Sequence, residues 1–265
     1  MMAKLLKPGL ALPFACIFAI GLAASPQQRP ADAAQAKPAD APLPPAQAII
    51  DRHIEAVGGR AAIKSHNSVK ISGSISVPAS GMSGTLEAFA ARPNKTRSNM
   101  TLAGIGDLSE GFDGKVAWSI SPMTGPMLAS GEELAQKAFE AEFDGALGIS
   151  TRYDSIRTVE KTTFEERPVY KIVLSRKGAP DEIAFYDVET GLKAGSIVER
   201  KSPMGTVAVT SALSDYKKFG DLLHPTMMKQ TMTGVQMVST FTSIEYDKVD
   251  PSVFELPAPI KALVK

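Results

Sequence analysis

Residues 90–122 read AARPNKTRSNMTLAGIGDLSEGFDGKVAWSISP, and this stretch decides the fold class. Turn-forming residues mark three corners in it, at Pro93-Asn94, at residues 104–107 (Gly-Ile-Gly-Asp) and at Asp113-Gly114. Asp-Gly is typical of tight β-hairpins because it tolerates positive φ angles, and Pro-Asn is a common turn pair. The stretch therefore predicts roughly three or four short antiparallel strands joined by hairpins.

Apolar and polar residues also alternate on both sides of this stretch. Between residues 68 and 77, Val69 and Ile71 alternate with Lys70 and Ser72, as in a strand with one buried and one solvated face. Further segments of this kind, bounded by turn residues, predict strands over residues 156–164, 169–176, 182–188, 193–200, 206–218, 222–233 and 235–246.

The number of strands determines the expected architecture. We predict roughly ten to twelve strands, which favours one antiparallel sheet over βαβ units. A sheet of that size does not stay flat, because strand twist accumulates and curls it toward a barrel. The predicted fold class is therefore mainly β (α+β), with a large curved antiparallel sheet forming an unclosed half-barrel.

Helical segments interrupt the strand pattern near the start and in the middle. Isoleucines recur at helical spacing in residues 46–57, which end at Gly58-Gly59, and a shorter helix is predicted over residues 60–65. Residues 122–131 form a predicted loop rich in Pro, Met and Gly, and residues 132–143 form an amphipathic helix. Aromatic residues make up only 6% of the chain, so we expect this mid-chain helix to act as a lid over a partly empty apolar interior.

The N-terminal part of the chain predicts export. Residues 1–24 combine basic Lys4 and Lys7 with an apolar run and small residues, as in a cleaved signal peptide that delivers the protein to the periplasm. An uncleaved membrane anchor is the alternative. Residues 25–45 are rich in Ala and Pro and predict a disordered linker, which leaves residues 46–265 as a single domain.

Composition argues against several functions. The net charge of +1 offers no basic surplus for nucleic acid, and the single cysteine, Cys16, lies in the predicted signal peptide. His53, His66 and His224 show no metal-binding spacing, and no G-x-S-x-G motif is present. We therefore expect a monomer without metal, cofactor or catalytic residues.

A hydrophobic ligand is the favoured partner, and bulky apolar side chains are the candidates to contact it. Methionine is frequent in the chain and adapts well to variable apolar surfaces, although ordinary core packing is the favoured explanation for it. A shift of one residue in register would turn the strand side chains to the other face. The predicted lining residues are Phe89, Met100, Trp118, Phe139, Phe143, Phe185, Met237 and Phe241.

Several short motifs resemble one known family. They are Arg92-Pro93-Asn94, then Asp113-Gly114-Lys115 followed by Trp118, and the closing segment at residues 253–257 (Val-Phe-Glu-Leu-Pro). Together with the order of elements, they resemble the LolA/LolB-like superfamily of periplasmic lipoprotein-localisation factors. Residues 56–59 (Ala-Val-Gly-Gly) make the chain similar to uncharacterised exported relatives within that superfamily.

The resemblance implies an unclosed barrel that binds acyl chains in an apolar cavity beneath helices, with Arg92 helping to latch the lid. It implies a carrier of lipid, of an acylated protein or of another hydrophobic ligand, without catalysis. The alternative hypothesis is an envelope interaction module that docks a partner protein through a sheet edge. A hydrolase that uses one of the histidines is the third hypothesis.

Overall fold

A single antiparallel sheet of 13 strands dominates the computed structural model, which describes residues 42–202 and 205–264. The predicted signal peptide and most of the predicted linker lie outside these residues. Of the helices in the described ranges, none is long and apolar enough to cross a membrane.

The strands form two meanders that meet in the middle of the sheet. The spatial order is β6-β5-β4-β3-β2-β1-β13-β12-β11-β10-β9-β8-β7, so the sheet is not closed and β6 and β7 are its edges. This confirms the mainly β, half-barrel architecture expected from the sequence. The strands are β1 (Ser68–Val77), β2 (Met82–Ala91), β3 (Lys95–Leu102), β4 (Gly106–Phe112), β5 (Ala117–Ser121), β6 (Gly125–Leu128), β7 (Ser155–Phe164), β8 (Arg167–Ser175), β9 (Glu182–Asp187), β10 (Lys193–Ser202), β11 (Gly205–Phe219), β12 (Leu222–Met232) and β13 (Val235–Tyr246).

Strand β6 lies within the segment that the sequence predicts as a loop. Proline inside a run of residues argues against a central strand because it has no amide hydrogen to donate. Pro126 is tolerated because β6 is an edge strand that pairs only with β5, where Pro126 lies opposite Ile120. Gly125 adopts a φ of 71° and turns the chain back from β5.

Five α-helices accompany the sheet in the described part of the chain. The first, α1, uses Ile50 and Ile54 to pack on Ile172 of β8 and Ala184 of β9, all of them buried. The helices are α1 (Ala46–Ala56), α2 (Gly59–Ser65), α3 (Gly131–Glu140), α4 (Ile149–Arg152) and α5 (Ala258–Lys261), with 3₁₀ turns at Pro78–Ser80 and Pro251–Phe254.

Helix α3 ends three residues before the predicted boundary at residue 143. The amide of Phe143 donates to the carbonyl of Pro93 at 3.0 Å instead of continuing the helical pattern. The carbonyl of Phe139, which that amide would bond in a longer helix, instead accepts from the guanidinium of Arg152. Tertiary contacts therefore end the helix.

The pairing register assigns side chains to the two faces of the sheet. Directly paired residues on neighbouring strands share a face. One row lies on the concave face, toward the helices: Val69, Ala90, Thr96, Phe112 and Ala117. The adjacent row lies on the opposite face: Lys70, Phe89, Arg97, Gly111 and Trp118.

Candidate functional site

Two adjoining cavities lie between the concave face of the sheet and the helices. The first, of about 400 Å³, includes His53, His66 and His224 in its lining, and we call it the histidine cavity. The second, of about 310 Å³, lies beneath α3, and we call it the α3 cavity. Both volumes fall in the range of small-molecule sites. The cavities share the lining residues Val69, Ala90, Thr96, Glu140 and Ala141.

Helix α3 joins two arms of the curved sheet through polar contacts. Lys137 Nζ lies 2.8 Å from Glu110 Oε2 on β4, and Arg200 Nη2 of β10 lies 3.2 Å from Glu140 Oε2. Gln136 Nε2 also donates to the carbonyl of Glu199 at 2.8 Å. These contacts are largely exposed, so each contributes little alone. They define α3 as a cover that bridges β4 and β10.

The apolar side of α3 faces the sheet. Leu134 and Ala138 pack against a buried cluster that contains Phe112 of β4, Ala117 of β5 and Ala141. Small residues predominate in this cluster, so α3 lies close to the sheet at this end. The interior remains open farther along, where Ala141 lines both cavities.

Phe139 attaches α3 to the other arm of the sheet. Its ring lies between two guanidinium groups, with the Cζ atoms of Arg152 and Arg176 each 3.9 Å from the ring centroid. Tyr153 contacts the ring edge-on at a centroid distance of 5.4 Å. Stacking of this kind combines apolar contact with cation–π attraction. Phe139 is therefore an anchor of α3.

Arg92 lies where β2, α2 and the segment after α3 meet. Its Nε donates to the carbonyl of His66 at 2.8 Å, and its Nη2 donates to the carbonyl of Ile63 at 3.4 Å. The same guanidinium forms an ion pair with Asp144 and lies 5.0 Å from the ring centroid of Phe143. One side chain thus satisfies carbonyls at the end of α2 and holds the segment that follows α3.

The Val-Gly-Gly motif seats the first two helices on the β11–β12 turn. Gly58 has a φ of 132°, and a Cβ atom on it would lie 2.7 Å from both the carbonyl oxygen of Asp221 and Leu222 Cδ2. The amide of Leu223 donates to the carbonyl of Val57 at 2.9 Å. Glycine is required here because both the backbone angle and the close approach exclude a side chain.

His66 is held between two carboxylates at one end of the histidine cavity. Its Nδ1 lies 2.7 Å from Asp247 Oδ2, and its Nε2 lies 2.9 Å from Asp221 Oδ1. The ring stacks on Tyr246 at 4.1 Å, and the Tyr246 hydroxyl bonds to His224 Nε2. Burial lowers the pKa of His66, but its hydrogen bonds to Asp247 and Asp221 outweigh that effect and raise it overall.

His53 and Lys193 bring two basic groups into the same cavity from α1 and β10. Burial and then the charge of Lys193 lower the pKa of His53 to about 4, so the imidazole is neutral at pH 7. His53 Nδ1 is buried without a hydrogen-bond partner among the described residues. Burial also lowers the pKa of Lys193. Across the described ranges, no three His, Cys, Asp or Glu residues group as metal ligands would.

Comparison with known proteins identifies the fold. No model of a known protein family matches the sequence, and no curated protein does. The crystal structure of the LolA superfamily protein NE2245 from Nitrosomonas europaea matches with a TM-score of 0.52 and 11% identity, over 81% of this chain and 99% of that one. The chain has the LolA-like fold. A DUF1329 family protein from Desulfovibrio piger matches with a TM-score of 0.50 and 11% identity, over 80% and 98% of the two chains.

Identities this low show the fold alone, since one fold supports many functions. Within the LolA-like fold, the predicted site residues fall into several groups. Arg92 contacts the ring of Phe143, and Phe143 forms part of the lining of the histidine cavity. Phe139 is packed between guanidinium groups on the other side of α3. The register places Met100, Met237 and Phe241 on the concave face, but none of the three borders either cavity.

The remaining three predicted residues have their rings on the opposite face of the LolA-like sheet. Phe89 borders the α3 cavity, yet its ring lies 5.5 Å from Lys70 Nζ on the opposite face. Trp118 lies near Arg97, and Phe185 stacks on Phe164 at 4.2 Å. Lys193 and the cavity-lining histidines were not among the predicted ligand contacts. These basic residues are far apart in the sequence, so nothing in the sequence indicates that they share a ligand site until the fold brings them together.

Proposed function

We propose that the protein is an exported periplasmic carrier that holds the acyl chain of a lipid or an acylated protein, without covalent catalysis. The adjoining histidine and α3 cavities carry this proposal. The histidine cavity is lined largely by apolar side chains, and the α3 cavity combines apolar residues of the sheet with charged residues near α3, which covers it. An acyl chain gains affinity from burial in such an interior, because removal of apolar surface from water drives binding.

Movement of α3 and its following segment is the proposed route for entry and release. The contacts of α3 with β4 and β10 are exposed ion pairs, which exchange readily with water. Arg92 holds the next segment, through Asp144, against α2. Ligand binding is then an equilibrium between closed and open arrangements, biased by whichever form contacts the acyl chain better.

A cavity-filling variant tests the proposal. Ala90 lines both cavities, so Ala90→Trp should block the passage between them. Ala208→Trp is the matched control, because Ala208 is an exposed alanine of β11. The measurements are native mass spectrometry of the exported protein and titration with a fluorescent fatty acid. We expect bound lipid and fatty-acid uptake in the natural protein and the control, with at least about a tenfold loss of affinity in Ala90→Trp.

The opposite result would be a ligand-free mass with no fatty-acid uptake in the natural protein. Equal binding by Ala90→Trp, with its fold intact by circular dichroism, would also contradict a site in these cavities. Capture of an envelope protein that a proline in edge strand β7 abolishes, without bound lipid, would instead support docking through a sheet edge.

A further inference from the structure

Lys193 differs from the other charged side chains that line the two cavities. Among the described lining residues, every other charged group has a hydrogen bond or ion pair to a neighbouring residue, whereas Lys193 Nζ has none. The paired groups are His66 with Asp221 and Asp247, Glu110 with Lys137, Glu140 with Arg200, Glu142 with Arg152, and Arg97 with the carbonyl of Val253.

The surroundings of Lys193 are fixed by the fold. It is the first residue of β10 and lies opposite the buried Tyr186 of β9. The hydroxyl of Tyr216 donates to its carbonyl at 2.8 Å, which holds the backbone at this point. His53 lies near enough for the two groups to interact electrostatically, and it supplies a neutral imidazole. Lys193 is partly exposed, and the charge of Glu182 acts on it only from beyond ion-pair distance, so its ammonium group has no direct counterion among the described residues.

The lining of the histidine cavity favours a single negative charge at this end. His53 and His224 are neutral at pH 7 because burial lowers the pKa of each. His66 is already matched by Asp221 and Asp247. One ammonium group therefore remains to be matched. A neutral headgroup would leave it unpaired, and a cationic headgroup would be repelled.

We infer, on the basis of the proposed function, that the protein selects an acyl ligand with a monoanionic headgroup, such as a fatty-acid carboxylate, and that this headgroup pairs with Lys193. The apolar chain then extends along Val69 and Ala90, which border both cavities, toward the space beneath α3. The imidazole of His53 also lines this cavity, so the headgroup lies beside a neutral ring rather than beside a second cation.

Three ligands with the same chain and different head charges test the inference. Dodecanoate, dodecanol and dodecyltrimethylammonium would be titrated by calorimetry into the natural protein and into Lys193→Met. The natural protein should bind dodecanoate at least about tenfold more tightly than dodecanol, with the cation weakest. Lys193→Met should bind dodecanol as before but lose the preference for dodecanoate, because methionine keeps the chain length and removes the charge.

Lys171→Met is the matched control, since Lys171 forms an ion pair with Glu160 at 2.9 Å and lines neither cavity. It should keep the preference for dodecanoate. Lys193→Gln provides a second test should the methionine variant fold poorly. In the absence of ligand, Lys193→Met should melt at the same temperature as the natural protein or higher, because it removes a charge that forms no direct ion pair.

The outcomes distinguish this inference from the proposed function. Equal affinity of the natural protein for dodecanoate and dodecanol would overturn selection by head charge. It would not contradict the proposed function as an acyl-chain carrier. A preference for dodecanoate that persists in Lys193→Met and Lys193→Gln would also overturn it. Failure of the natural protein to bind any of the three ligands would contradict both.

Discussion

Arg92 and Asp144 form an ion pair that joins the end of β2 to the segment following α3. The same guanidinium donates to the carbonyls of Ile63 and His66 at the end of α2. Three separate parts of the chain therefore depend on one cation. The family resemblance assigns a latch role to this arginine, and its contacts describe what such a latch would hold together.

Arg92→Leu should loosen the segment after α3 more than it destabilises the sheet. It removes an ion pair and several hydrogen bonds at a partly exposed position, so we expect a loss of about 1–2 kcal/mol in the free energy of unfolding. Amide hydrogen exchange should accelerate in residues 141–148 and remain unchanged in β1 and β13. Denaturant titration and exchange mass spectrometry measure the two effects.

Lys70→Leu is the control for Arg92→Leu. Lys70 forms an ion pair with Glu87 at 2.8 Å on the opposite face of the sheet, away from the helices. It should change the free energy of unfolding by less than about 0.5 kcal/mol and leave exchange after α3 unaltered. Equal exchange behaviour of the two variants would argue against a latch at Arg92.

Gly58→Ala should be strongly destabilising. The substitution forces a side chain onto a residue with a φ of 132° and against Asp221 and Leu222, which lie 2.7 Å from the new Cβ atom. Backbone strain and overpacking each cost about 1–3 kcal/mol, so we expect a loss of about 3 kcal/mol or more in denaturant titration. Gly81→Ala is the matched control, since Gly81 has a φ of 68° with open space around it, and it should cost only about 1–2 kcal/mol.

A cost for Gly58→Ala no larger than that for Gly81→Ala would show that α1 and α2 can shift away from the β11–β12 turn. The helices would then be less firmly seated than the hydrogen bond between Leu223 and Val57 indicates. Hydrogen exchange of α1 in the two variants would locate the shift. Slow exchange of α1 in both variants would instead show that the helix stays in place and that the cost of Gly58→Ala is confined to residue 58.

The pairing of His66 with Asp221 and Asp247 should stabilise the fold most at mildly acidic pH and less at both higher and lower pH. The pKa of His66 is raised above 6.5, so its pairing stabilises the fold fully below about pH 6.5 and is lost as pH rises through the folded-state value. The hydrogen bonds to His66 lower the pKa values of Asp221 and Asp247 below 3.8, so their contribution is lost as pH falls through those lowered values. The pairing should therefore be strongest between about pH 4 and pH 6.5.

Melting temperatures of the natural protein and His66→Gln, measured from pH 4 to pH 8, test this dependence. The difference between them should be largest near pH 5 and decrease above pH 6.5. His53 acts in the opposite sense, because its folded-state pKa of about 4 makes the fold less stable as pH falls from 6.5. His53 is present in both proteins, so its effect cancels in the difference. A difference that is constant with pH would contradict the paired state of His66.

Local turn chemistry explains why most of the fold could be predicted from the sequence. Asp113 illustrates this, since its carboxylate accepts from the amides of Lys115 and Val116 and fixes the corner between β4 and β5. The turn is longer than a two-residue hairpin, because regular pairing stops at Phe112 and Ala117. Such signals locate corners reliably, while β6 was missed because Pro126 argues against a strand.

The site was harder to predict because both faces of the sheet bury apolar side chains. Trp118 is buried on the face opposite the cavities, near Arg97, whose guanidinium donates to Val253 in the C-terminal segment. Phe185 is buried in a second cluster with Val169. Alternation alone gives no reason to choose one face over the other. Lys193 becomes a candidate ligand-binding residue only when the structure shows which other charged residues of the cavity lining already form ion pairs or hydrogen bonds.

Phe139 allows the role of α3 as a lid to be separated from its contribution to stability. Its ring lies 3.9 Å from the guanidinium carbons of Arg152 and Arg176. Phe139→Leu keeps an apolar side chain but removes both cation–π contacts, each worth about 0.5–2 kcal/mol. We expect a loss of about 1–3 kcal/mol in the free energy of unfolding. We also expect faster release of a bound fluorescent fatty acid, measured by stopped-flow displacement, because α3 would open more often.

Phe185→Leu supplies the comparison for this experiment. Phe185 is buried on the opposite face of the sheet and stacks on Phe164 at 4.2 Å. Its substitution should lower the free energy of unfolding by a similar amount without changing the rate of fatty-acid release. Faster release in both variants would mean that general destabilisation opens the cavities. Unchanged release in Phe139→Leu would mean that the ligand leaves by a route that does not require α3 to move.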